Sequence, residues 1–356
     1  MVLEMAGKTE PELFRVGVGR AVVTPPVGFV IDGPEHGPRM STGIMDDLLT
    51  RVVVLESIGT RIVLISLDFW GLSSALYAAI KTAAGEAAGV DPNSVWLTVT
   101  GNATSPPLWR EDAQYAAYNA YLPEQVAGAV RVAVQSMEPA SMGSTGTLLP
   151  DVSTFTAGAG RPGNAALFVL AINRADGSGI ARIVNFACPA TILGPLTEWT
   201  ADYPGYASWA IEQNGGGLTL FSQAPSYDIR PYDWWDDNPE PTHAERTAQD
   251  VHAMGLLLAT QVVNGAADTT QRRNVELSIR TDEEAGIQVM RIGDAHFIST
   301  EKPQPNKFAR RFRRELPHSN TFVAANASGG MFDAKATFDA RAIKRGTAIL
   351  KELGAS

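Results

Sequence analysis

Short apolar runs punctuated by turn residues dominate the chain, and most of them predict strands. Residues 13–23 alternate and stop at Thr24-Pro25-Pro26, a strand running into a rigid loop. Residues 51–56 and 61–68, joined through Ser57-Ile58-Gly59-Thr60, predict a β-hairpin with an apolar second strand. Residues 74–88 predict a helix, 95–100 a short buried strand, and 112–136 a second helix after the 101–110 loop. A further hairpin spans 167–173 and 179–188 across Ala175-Asp176-Gly177-Ser178. A helix entered through Pro204-Gly205 then precedes a strand at 217–222. Thr242, with Glu245 three residues on, predicts a capping box that opens a long amphipathic helix. Strands at 275–280, 287–292 and 295–299, a helix at 308–316, a strand at 321–325 and a last helix ending near Leu353 complete the pattern.

Hairpins mixed with strand–helix alternation imply an α/β fold of mixed β-sheets layered with helices. No period of 20–50 residues and no low-complexity linker divides the 356 residues, so the expectation is a single domain over 1–356. A 45% hydrophobic, 19% charged composition suits a globule with a substantial core. The formal net charge of −9 argues against nucleic acid or an anionic membrane as partner. One cysteine rules out an intrachain disulfide framework. With no apolar leader in residues 1–12, this predicts a cytoplasmic protein.

The stretch 184–231 organises the chemistry: two strand ends opening side by side make a crevice. It reads Ala187-Cys188-Pro189-Ala190-Thr191-Ile192-Leu193-Gly194, then Thr200-Ala201-Asp202-Tyr203-Pro204-Gly205, then Pro225-Ser226-Tyr227-Asp228-Ile229-Arg230-Pro231. In wording and order this resembles the neutral ceramidase family, zinc-dependent hydrolases of N-acyl amides, whose members read A-C-H-P-T-x-L-G, S-A-D-Y-P-G and N-x-G-D-x-S-P. The resemblance runs from about Phe14 to Phe338, and the opening Val16-Gly17-Val18-Gly19-Arg20 belongs to it. It implies a ceramidase-like catalytic-domain fold, with no room for the C-terminal immunoglobulin-like sandwich of larger members.

The resemblance also implies a zinc ion held by two histidines, a glutamate and a tyrosine beside a serine, and here the altered positions matter. The T-x-T-H-T-H-S-G-P loop is Thr98-Val99-Thr100-Gly101-Asn102-Ala103-Thr104-Ser105-Pro106, with Gly101 and Ala103 at the histidine positions. The second ligand histidine falls on Pro189, and a histidine common before D-P-L falls on Met45. The serine falls on Arg230, and Asn326–Met331 offers no tyrosine. Glu301 alone keeps the ligand glutamate. One carboxylate is not a zinc site, so the expectation is no metal and no cofactor.

The replacement set is chemically coherent: Asn102, Thr104, Tyr227, Asp228, Arg230, Glu301 and Lys302, with Cys188 near. Two carboxyls in different surroundings can divide acid and base roles, and an arginine can grip a carboxylate or an enolate by two prongs. Asp228, Glu301, Arg230 and Tyr227 are therefore the catalytic candidates. A structural Asp–Arg bridge filling the former metal space is the competing reading. Trp109, Trp234 and Trp235 are placed at the mouth, or else cap the core, and His36 is the one histidine retained as a pocket residue. Cys188 lacks a neighbouring histidine and reads as buried and inert. The basic run Lys307, Arg310, Arg311, Arg313, Arg314 reads as a solvated helix face. The function expected is metal-independent acid/base chemistry on an acyl- or amide-bearing small molecule: cyclisation, isomerisation or elimination, as in specialised-metabolite biosynthesis. A zinc-free amide or ester hydrolase and a non-catalytic binding protein are the alternatives.

Overall fold

A computed structural model describes residues 14–33, 37–110, 112–149, 152–155, 165–231, 246–300, 303–317, 319–325 and 339–355. Its first unit begins with a meander of β1 (Arg15–Val22), β2 (Leu49–Ser57) and β3 (Thr60–Leu67), each antiparallel to the last. Helix α1 (Ser74–Ala88) then carries the chain over to β4 (Val95–Val99), parallel to β3, and α2 (Ala116–Gln135) follows. A parallel neighbour demands such a crossover.

The same order recurs twice. In the second unit β5 (Ser141–Leu149), β6 (Ala165–Asn173) and β7 (Gly179–Phe186) form the meander. Helix α3 (Asp202–Gln213) crosses to β8 (Leu218–Gln223), parallel to β7, and α4 (Ala248–Ala267) follows. In the third, β9 (Leu277–Asp282), β10 (Ile287–Ile292) and β11 (Ala295–Thr300) lead through α5 (Asn306–Glu315) to β12 (Asn320–Ala325) and α6 (Ala340–Glu352). The result is a mixed α/β fold of three principal sheets, the first extended to five strands by Glu138–Pro139 and the other two four-stranded, with six α-helices among the described residues and no closed barrel among them.

Period-two alternation decides what each strand faces. Val52 and Val54 point to the layer shared with α1 and α2, whereas Val53 and Leu55 point to a central cluster. Leu167 and Val169 likewise face α3 and α4, and Phe168 and Leu170 the centre. Val289 faces α5 and α6, and Met290 the centre. Helices thus cover the outer face of each sheet while the inner faces share one core. Trp96, Phe297 and Phe322 interlock there, with centroids 5.5 and 4.3 Å apart. Small polar side chains stitch the parallel pairs together: Ser66 Oγ donates to Phe221 O (2.5 Å), and the Asn185 side chain exchanges hydrogen bonds with Val323 N and O (3.2 and 3.0 Å).

The Val16–Arg20 pattern has a packing cause. A Cβ on Gly17 would lie 1.9 Å from Ala133 O, and one on Gly19 would lie 2.1 Å from Ala129 O, so α2 sits on bare β1 backbone. Gly19→Ala is therefore expected to lower stability by about 1–3 kcal/mol. Urea unfolding reads this directly, and an unchanged midpoint would show that α2 is not held that close.

Three sequence expectations need adjustment. The capping box at Thr242 and Glu245 lies outside the described residues, while α4 starts with its own box: Thr247 N donates to Asp250 Oδ2 (2.7 Å), and Thr247 Oγ1 accepts from Gln249 N. No strand is expected at β5, because Ser-Met-Gly-Ser-Thr-Gly-Thr carries little apolar signal, yet one forms. Gly146 is needed there, since a Cβ would meet the Phe168 ring at 2.4 Å. Arg313 also leaves the solvated face: its guanidinium nitrogens are shut from solvent, 4.5 Å over the Phe168 ring, and burial lowers its pKa to about 9.

Candidate functional site at the converging strand ends

In every unit the third and fourth strands run parallel, and the loops after them meet on one side of the molecule. Asn102 bridges in parallel register to Ala190, Gly101 abuts Gln223, and Tyr227 N donates to Gln304 O (3.4 Å). Carboxyl ends of parallel strands are where such folds form crevices.

The first unit supplies a buried ion pair beneath these loops. Arg51 Nη1 donates to Asp68 Oδ2 at 2.7 Å, with the side chains 5% and 0% exposed, and Leu49 N donates to the same oxygen (2.9 Å). Asn102 is also fully buried. Its Nδ2 donates to Thr200 O (2.7 Å) and Asp68 O (3.1 Å), and its Oδ1 accepts from Thr104 N and Oγ1 (3.0 and 2.9 Å). Both predicted binding residues, Asn102 and Thr104, therefore bond to each other and to main chain and form the wall between units. Trp109 is half-buried and packs on Trp70 and Ala103.

The second unit contributes most of the charge. Asp202 opens α3 with φ +52°, a left-handed backbone rare for a residue with a Cβ. Its carboxylate accepts from Tyr203 N (2.6 Å) and Leu193 N (3.1 Å), tying the Cys188–Gly194 loop to the helix start. Burial raises its pKa to about 6, against the lowering by these amides and with a smaller push from Asp46. Asp46 accepts from Thr200 Oγ1 (2.6 Å) and Ala201 N (2.7 Å) and is raised chiefly by burial too. Cys188 is completely buried; burial drives its thiol upward and Asp202 adds to it, in keeping with an inert cysteine.

A raised carboxyl favours the protonated folded state. The Asp202 contribution is fully present below pH 4 and is lost as pH rises through about 6. Displacing a carboxyl from the ordinary aspartate range to about 6 corresponds to about 3 kcal/mol. The stability of the native chain relative to Asp202→Asn should therefore fall by up to that amount between pH 4 and 7 in equilibrium unfolding. A constant difference would refute it.

Further along these loops, Gln223 Nε2 donates to Ser226 Oγ (2.5 Å), while its buried Oε1 has no hydrogen-bond partner among the described residues. Tyr227 is 40% exposed. Asp228 Oδ1 accepts from Asn306 N (2.5 Å), so it caps α5, whose own capping residue, Pro305, offers no side-chain acceptor. Arg230 is half-buried on a short strand, Ile229–Pro231, paired with Ser153–Phe155. Glu301, Lys302, His36, Trp234 and Trp235 lie outside the described residues. Sequence reading missed Asp46, Asp68, Arg51 and Gln223. A D-D pair after Met45 and a lone acid just past β3 were the available signals.

The zinc set that the resemblance implies does not fit the described positions. A Cβ at Gly101 (φ +71°) would lie 1.3 Å from Gln223 Oε1, so the glutamine amide fills the space a histidine would need. Ala103 is buried against Trp70, and Pro189 supplies no donor side chain. Among the described residues no group of three or more His, Cys, Asp or Glu is placed to hold a metal ion, and no helix is long and apolar enough to cross a membrane.

Three sheets with outer helices, whose loops converge at the parallel strand ends, make a ceramidase-like fold. The chain is similar to the neutral ceramidase from Pseudomonas aeruginosa, with a TM-score of 0.74 at 14% identity over 98% of this chain and 76% of that one. It is also similar to a ceramidase complexed with C2, with a TM-score of 0.69 at 14% identity over 89% of this chain and 69% of that one. No family model and no curated protein matches the sequence.

Proposed function

We propose that this ceramidase-like scaffold acts without a metal ion, on a small acyl- or amide-bearing molecule, by side-chain proton transfer at the strand-end crevice. The observation that carries the reading is Gln223, whose amide occupies the place of a side chain at Gly101. With that position taken, charge development on a carbonyl falls to fixed side chains. Asp228, oriented by Asn306 N, and Glu301 are the paired acid and base: one removes a proton beside the carbonyl, and the other returns a proton to the product. Arg230 balances the enolate oxygen, and Tyr227 is the exposed hydroxyl at the rim. Lys302, Trp109, Trp234, Trp235 and His36 bound the substrate. Isomerisation, cyclisation and elimination suit this set better than hydrolysis, because no activated nucleophile belongs to it. The setting is cytoplasmic, within a single domain, with a small molecule as partner.

A non-catalytic binding protein is the second reading, favoured by the way Asn102 and Thr104 bond inward to Thr200 O. Native mass spectrometry for a co-purified small molecule, followed by turnover assays, separates the two. Asp228→Asn keeps an acceptor for Asn306 N, so it and Glu301→Gln are expected to fold, retain the ligand and lose turnover by about 10²-fold or more. Unchanged turnover removes the acid/base assignment, and binding with no conversion by the native chain supports the second reading. Stoichiometric zinc in the purified protein would overturn both.

A further inference from the structure

On the outer face of the third unit, α5 and α6 enclose a groove of about 800 Å³. Lys307, Arg310, Arg311 and Arg314 of α5 and Lys344 of α6 line it, against the single acid Glu315. This concentration of positive charge stands in a chain of formal net charge −9. The spacing on α5 sets four like-charged pairs three or four residues apart: 307 with 310 and 311, and 314 with 310 and 311. Each such pair works against the helix. Glu315 bonds Arg311 (2.6 Å), and no acid among the described residues lies within ion-pair distance of Arg310, Arg314 or Lys344. The inner side of α5 is anchored by Phe308 and Phe312, so these cations cannot turn away from one another without unpacking the helix.

We propose that this groove binds an organic diphosphate: a small molecule with a doubly phosphorylated end and a less polar body. Two arginines one turn apart, faced by a lysine from the opposite helix, present forked donors and a point charge that suit adjacent phosphate groups. A single phosphate would leave cations unmatched. The volume lies within the range of small-molecule pockets and far exceeds an inorganic diphosphate, and Ala340, Ile343 and Thr347 give it a floor for the organic portion. The groove lies outside the strand-end crevice, so the assignment does not depend on the chemistry proposed there.

Calorimetric titration of the full chain with ADP, inorganic diphosphate and adenosine tests it. The expected result is saturable binding of ADP, weaker binding of diphosphate and none of adenosine. The double variant Arg310→Glu/Arg314→Glu should weaken ADP by at least about tenfold with no fall in melting temperature, since it also relieves like-charge pairs with Lys307 and Arg311. Lys344→Gln, which leaves α5 intact, should weaken it in the same sense. Absence of saturable ADP binding, or equal affinity in both variants, overturns the proposal. So does variant-sensitive binding of a poly-aspartate peptide or of anionic phosphatidylglycerol vesicles with no response to ADP, which would make the groove a docking face for an acidic macromolecule or a membrane.

Discussion

Gly101→His is expected to cost about 2–6 kcal/mol and to yield no metal site, although it restores the residue type that the ceramidase resemblance calls for. Two costs combine. Position 101 has φ +71°, where a non-glycine residue carries about 1–3 kcal/mol of strain. Its Cβ would also coincide with Gln223 Oε1, and forcing a buried amide aside adds about 1–3 kcal/mol. The companion Gly101→His/Gln223→Ala should recover the steric part and keep the backbone part, so the two substitutions should be non-additive. Chemical denaturation of these two variants and of Gln223→Ala measures the energies, and metal analysis after zinc incubation reads occupancy. Full additivity, or a native-like Gly101→His, would show that Gln223 does not fill this space.

That pair explains how far the sequence could be read. The strands of each core were legible because burial on both faces leaves continuous apolar runs, as in β6 and β7. Turns were legible from Gly59 and Gly177, both with positive φ. The three-fold recurrence of one element order was not, because it lies in connectivity: β1 starts at Arg15 and β5 at Ser141, far beyond the spacing of short repeats. For the site, the loops that converge and the altered Gly101 and Pro189 followed from local wording. What fills the space did not, since Gln223 meets Gly101 only after two sheets pack. Asp228 illustrates the same limit. Its place in a motif suggested chemistry, whereas its bond to Asn306 N shows a structural duty that only the third unit's helix reveals.

Removing one partner of the Arg51–Asp68 pair is expected to be as damaging as blocking position 101. Both side chains are buried, and Asp68 also holds Leu49 N, so the pair locks β2 to the end of β3 directly under Asn102, which donates to Asp68 O. Arg51→Met leaves a carboxylate in a low-dielectric interior with one cation fewer, a loss of about 3–5 kcal/mol. The double variant Arg51→Met/Asp68→Leu removes the stranded charge as well and should be less destabilised than Arg51→Met alone, although Leu49 N then lacks its acceptor. Because Asn102 bridges to the second unit, the single variant should also loosen the seam at Ala190 and Thr200, seen as faster amide exchange at Ala103, whose N–H bonds Ala190 O. Destabilisation without faster exchange there would confine the pair to the first sheet and detach it from the seam between the first two units.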